Sequence, residues 1–137
     1  WWSMIYVDAN YWIYWFDERL PEHKYVIEAM RSAIEEGVVM NVITVLEIAH
    51  YLRFLPKAEF EKRMRLIRGL TTLEIIPLDV ALLDKALELL SEYARLGIGA
   101  RDSVILATMR ELGLTRILTH DRSFRRIEWV EVIDVIP

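Results

Sequence analysis

The sequence predicts an α/β fold: a three-layer α/β/α sandwich around a parallel five-stranded sheet of order 3-2-1-4-5. Three observations lead there. Five short apolar runs alternate with helical patterns along the 137 residues, as strand–helix–strand crossovers require. The first, second and fourth runs carry no charge, which suits strands covered on both faces. The third and fifth are interrupted by Glu74 and Glu131, and a charge within a strand is a common edge device.

The elements follow in order. Residues 4–7 form the first strand, then come a short helix near 10–17 and a longer one near 22–36, opened by Pro21 and closed by Gly37. The second strand covers 38–42. Helices near 45–55 and 57–69, split by Pro56 and ended by Gly69, lead to the third strand at 73–76. After Asp79 a helix near 80–96 carries Leu82, Leu83, Ala86, Leu87, Leu89, Leu90 and Tyr93 on a broad apolar stripe and stops at Gly97. A helix near 101–112 passes through Gly113 to the fourth strand, 117–119, and the fifth is 130–133. At about 150 residues per domain the chain makes one domain, residues 4–137. Trp1, Trp2 and Ser3 read as an expression remnant or an extended start.

Composition narrows the chemistry. With 54% hydrophobic residues the chain can bury roughly two-thirds of its unfolded surface, so its core needs no disulfide or structural zinc. The absence of Cys excludes thiol catalysis, cysteine-ligated zinc and iron–sulfur clusters, and fits a reducing, cytoplasmic setting. The longest apolar run, 11–16, falls far short of the ~20 residues of a membrane span. No membrane partner is expected. A net charge of -4 argues against binding nucleic acid by bulk electrostatics, so any such chemistry is local. Basic residues are mostly Arg, Gln is absent and Asn occurs only at 10 and 41, a heat-adapted pattern.

In the inferred order a crevice opens between the carboxyl ends of strands one and four. Asp8 and Asp121 stand at those ends, and right-handed crossovers bring Glu47 and Asp102 to the same rim. Each acid also has a local explanation: Asp8 and Asp121 as caps, Glu47 as the far end of a Thr44-to-Glu47 capping box, Asp102 as a favourable charge in a first helical turn. Four at one rim are harder to explain so. Two carboxylates about 5 Å apart repel by roughly 3 kcal/mol at an effective dielectric near 20. Such a cluster takes up protons or a cation. Oxygen-only ligands suit Mg²⁺ or Mn²⁺, which pair naturally with phosphate, so metal-assisted phosphodiester hydrolysis is the first candidate.

The run from Ile5 through Asp8 to Asn10, Thr44-Val45-Leu46-Glu47-Ile48, Arg101-Asp102-Ser103-Val104-Ile105-Leu106-Ala107, and Leu118-Thr119-His120-Asp121-Arg122-Ser123-Phe124 together resemble PIN-domain ribonucleases, most closely the VapC type. The resemblance spans nearly all of 4–137, although 52–94 matches only in pattern. It implies a PIN-like fold and a metal-dependent endoribonuclease acting as the toxin of a toxin–antitoxin pair. By it, Asp8, Glu47, Asp102 and Asp121 match the acidic quartet, and Asn10 and Thr119 match supporting polar residues. Asp8 and Asp102 are expected to bind the metal, Asp121 to bind directly or through water, and Glu47 to orient the attacking water or help hold a second ion. Cleavage is expected to leave a 5′-phosphate and a 3′-hydroxyl.

Arg101, Arg122, Arg125 and Arg126 flank the acids and are candidate contacts for the RNA backbone; solvated surface or pairing with acids such as Glu128 and Glu131 is the competing reading. His120 reads as structural. The aromatic segment 11–16 exceeds what one helical face can bury, leaving apolar surface for a homodimer or an antitoxin, or Tyr11 and Trp12 for base stacking. Three alternatives remain: a PIN nuclease of RNA processing or surveillance without an antitoxin, a non-catalytic binding module, and a phosphohydrolase with an Asp nucleophile. The last wants an acid two residues after Asp8, where Asn10 stands.

Overall fold

The computed structural model describes residues 4–137; the reading of residues 1–3 lies outside the described residues. Along the chain run β1 (Ile5–Val7), α1 (Ala9–Phe16), α2 (His23–Glu36), β2 (Val38–Asn41), α3 (Val42–Leu52), α4 (Lys57–Arg68), β3 (Leu73–Ile76), α5 (Val80–Tyr93), α6 (Ala100–Leu112), β4 (Arg116–Leu118) and β5 (Glu131–Ile133). Two 3-10 turns, Ala94–Leu96 and Arg122–Arg126, complete the set among the described residues.

The five strands form one parallel sheet of order β3-β2-β1-β4-β5. Charge placement explains it. Every residue of β1 and β2 is buried, whereas Glu74 of β3 and Glu131 of β5 reach solvent from the two edge strands. Side chains alternate across the sheet and feed two cores. Ile5, Val7, Val38, Met40 and Leu118 pack on one face with residues of α1 to α4. Tyr6, Val39 and Ile117 pack on the other with α5 and α6. That is the three-layer arrangement.

Some local expectations are corrected. Helix α3 starts at Val42, three residues early, because Asn41 caps it by accepting the Ile43 amide at 3.0 Å. Thr44 is therefore inside the helix, and no Thr44-to-Glu47 capping box forms. Tyr11 and Trp12 are wholly buried, since α1 is packed between α2 and α3, and neither can stack on a base. Ile13 to Phe16 of α1 stay half-buried, and exposed apolar side chains lie on α2 (Tyr25, Ile27), on α3 and beyond (Leu46, Tyr51, Phe54, Leu66) and on α5 (Val80, Leu83, Leu87). Among the described residues no helix is long and apolar enough to cross a membrane.

Candidate active site

β1 and β4 are neighbours, so their carboxyl ends open side by side: the Asp8 amide donates to the Leu118 carbonyl at 3.0 Å. Asp8 is completely buried and caps α1 through Ala9 N at 2.8 Å. Its Oδ2 also accepts the Thr119 hydroxyl at 2.8 Å. Thr119 Oγ1 in turn accepts from Asn10 Nδ2 at 3.2 Å and from the Asp121 amide at 3.0 Å. One hydroxyl thus locks two acids and Asn10 into register. Asp121 caps the following 3-10 turn, with Oδ1 accepting the Ser123 amide at 2.9 Å and the Ser123 hydroxyl. The capping readings of Asp8 and Asp121 are correct and do not compete with a site, because one carboxylate accepts several hydrogen bonds at once.

Glu47 and Asp102 come from α3 and α6, and the buried side chain of Asn41 braces both helices. Its Oδ1 caps α3 and its Nδ2 donates to Thr108 Oγ1 of α6 at 3.0 Å. Tyr6 adds a second tie: its hydroxyl accepts the Asn41 amide at 2.9 Å and pairs with Thr44 Oγ1, one turn before Glu47, at 2.7 Å. Asn41 and Tyr6 are supports that the sequence reading did not identify. The available signal was a lone amide ending an otherwise apolar strand.

All four acids meet at one guanidinium. Arg101 grips Asp8 as a fork, NH1 to Oδ1 at 3.1 Å and NH2 to Oδ2 at 3.3 Å. Its Nε faces Glu47 Oε1 at 3.3 Å, and NH2 lies 3.6 Å from both Asp102 Oδ1 and Asp121 Oδ2. The predicted convergence of the quartet is present. Arg101, a candidate phosphate contact, is here paired with the acids, which draw its charge inward.

One guanidinium cannot neutralise four carboxylates. Burial, opposed by Arg101 and reinforced by the other three acids, raises the Glu47 carboxyl above its ordinary value. Asp102 is raised as well, by burial first and by Asp121 and Asp8 after it, again against the pull of Arg101. Burial works against the Arg101 charge too, yet the attraction of Asp8, Glu47 and Asp102 holds it firmly protonated. Glu47 Oε1 is buried and makes an ion pair but accepts no hydrogen bond. The site is short of positive charge. Among the described residues no three acids or imidazoles are arranged as a coordination shell, since the guanidinium stands between them. The donor set, all carboxylate oxygen with one orphaned atom, nevertheless suits a hard divalent cation.

The other candidates fall outside this nest. Arg122, Arg125 and Arg126 are exposed on the 3-10 turn after Asp121. Arg125 lies 3.9 Å from Asp134, rather than on Glu128 or Glu131. His120 is structural in its contacts: Nδ1 meets Asp134 at 2.7 Å, and the same carboxylate accepts the Tyr11 hydroxyl at 2.7 Å. Those bonds lower the Asp134 carboxyl despite its burial.

Comparison with known proteins agrees with this architecture. A family profile described as PIN domain matches residues 5–130. Ribonuclease VapC1 of Aquifex aeolicus is 29% identical over 122 residues, 88% of this chain and 83% of that protein. The crystal structure of Mycobacterium tuberculosis VapC20, described as a Sarcin-Ricin loop cleaving toxin, superposes with a TM-score of 0.78 at 20% identity, covering 93% of this chain and 98% of that one. A toxin-antitoxin complex from Klebsiella pneumoniae gives a TM-score of 0.66 at 25% identity, over 93% and 95% of the two chains.

Proposed function

The chain belongs to the PIN-domain family, and we propose that it is a divalent-metal-dependent endoribonuclease, the toxin of a toxin–antitoxin pair. The observation that carries the reading is the meeting of Asp8, Glu47, Asp102 and Asp121 within 3.6 Å of a single guanidinium. Residues 4–137 form the nuclease domain. The ribonuclease name of the Aquifex aeolicus relative supports the substrate class, and the likeness to a toxin-antitoxin complex supports a small antitoxin protein as partner.

Asp8, Asp102 and Asp121, with Glu47, would hold Mg²⁺ or Mn²⁺. Bound there, such an ion would lower the pKa of the attacking water and stabilise charge on the phosphate. Glu47 orients that water. Cleavage would add water across the P–O3′ bond, its hydroxyl going to phosphorus and its remaining proton to the departing 3′ oxygen, to leave a 5′-phosphate and a 3′-hydroxyl. Thr119 and Asn10 keep Asp8 and Asp121 in register throughout. Arg122, Arg125 and Arg126 guide the RNA backbone by contacts to phosphate.

The exposed apolar side chains of α3 and α5 offer surface for the antitoxin and for a homodimer. Light scattering that returned the monomer mass alone would remove the dimer. The nuclease reading is tested by RNA cleavage with Mg²⁺, with chelator, and in Asp8→Asn and Asp102→Asn. Cleavage should need the ion and fall at least about 100-fold in either variant; undiminished cleavage in both would defeat it.

A further inference from the structure

The acids of the site do not stand open, because a side chain of the same protein closes them. A carboxylate offers about four lone-pair directions, and Asp8 uses all of them. Oδ1 accepts from Ala9 N and Arg101 NH1, while Oδ2 accepts from the Thr119 hydroxyl and Arg101 NH2. A cation arriving at Asp8 therefore finds no free lone pair until one of those partners leaves. Ala9 N belongs to the backbone of α1, and Thr119 is buried and holds Asp121 and Asn10 as well. Only the guanidinium can go. It sits on a long, flexible stem in the first turn of α6, and its side chain is 30% exposed, so a way out to solvent exists.

Resting on the reading of this site as a divalent-metal nuclease centre, we propose that Arg101 is a two-position residue. In the free protein it is the resident counter-ion of the four acids. Loading of a divalent cation expels it, and its fork then becomes available to a phosphate of the RNA. The exchange follows from charge: a dication and a guanidinium held by the same carboxylates repel strongly at such short range. It also follows from geometry, since the planar fork that matches the Asp8 carboxylate matches a phosphate equally well. Arg101 thus positions substrate only after the centre is loaded, which couples metal binding to RNA binding. The coupling is reciprocal, so bound RNA should in turn strengthen the hold on the ion.

The test measures Mn²⁺ binding by electron paramagnetic resonance in the wild type, Arg101→Gln and Arg101→Lys, with circular dichroism to check the fold. Arg101→Gln should bind Mn²⁺ at least about tenfold more tightly than wild type, with Arg101→Lys in between because it keeps the charge and loses the fork. In parallel, the Arg101 Nε–H resonance of the wild type, assigned by its absence from Arg101→Lys, should shift when Mg²⁺ saturates the protein. If Arg101→Gln does not fold, this titration decides the matter alone. An unmoved Arg101 signal at saturating Mg²⁺, or Mn²⁺ binding no tighter in a folded Arg101→Gln, overturns the two-position role and leaves the metal centre standing. Absence of Mn²⁺ binding in the wild type and in both variants would overturn the metal-nuclease reading and this inference with it.

Discussion

At the residue scale the site is a problem of unlike charge packed at unequal number. Four acids surround one guanidinium, and burial amplifies both attraction and repulsion. The acids themselves were legible in the sequence, because each sits at the end of an apolar run or at a helix start. Arg101 was legible as a neighbour of the acids but its orientation was not: nothing in a linear pattern distinguishes a guanidinium that turns into the nest from one that faces solvent. Thr119 is the residue whose removal separates support from chemistry. Thr119→Val keeps the shape but strands Asn10 Nδ2, the Asp121 amide and one lone pair of Asp8. It should cost about 1–3 kcal/mol of stability by denaturant titration and about 10–100-fold in activity or metal affinity.

A second residue-scale prediction concerns pH. Asp17, at the end of α1, accepts the Arg19 guanidinium fork and the Tyr51 hydroxyl, and these bonds hold its carboxyl well below the usual range. A depressed folded value means stability that is present above the unfolded value of about 3.9 and is lost as pH falls below it. Asp17→Asn should therefore be less stable than wild type at neutral pH, and the difference should shrink below about pH 4. Thermal melts across that range would show it; a constant difference would mean that the charge is irrelevant.

At the scale of elements, strand order was readable from two glutamates, since Glu74 and Glu131 mark the strands that have an open edge. The start of α3 was not, because an amide that caps a helix directly after a buried strand looks like part of the strand. That amide braces the helices that carry Glu47 and Asp102, so the site depends on packing that sequence periodicity does not display. The connection from α6 to β4 is a further constraint. Gly113 has a φ of +69°, with open space where a side chain would go. Gly113→Ala should thus cost about 1–2 kcal/mol through backbone strain alone, measured by urea unfolding, while leaving the acids in place and the metal affinity unchanged.

At the scale of the whole molecule, the net charge of -4 and the clustered acids make the centre of the site electronegative, while Arg122, Arg125 and Arg126 stand exposed on the turn that follows Asp121. Two buried cores, one on each side of the sheet, support the rim. The aromatic run of α1 divides as expected into buried Tyr11 and Trp12 and half-buried 13–16, whereas the further apolar surface on α3 and α5 was not foreseen, because it comes from scattered side chains rather than from one dense run. Composition predicts heat adaptation, so the melting midpoint should exceed about 65 °C, the upper end of the mesophile range. A midpoint near 50 °C by calorimetry would dispose of that reading.

The most direct measurement is anomalous X-ray diffraction from a crystal soaked in Mn²⁺. A strong anomalous peak is expected among the carboxylates of Asp8, Glu47, Asp102 and Asp121, with the Arg101 guanidinium withdrawn from Asp8. A fully soaked crystal with no peak there, and with Arg101 still gripping the acids, would contradict the metal-dependent mechanism at its root.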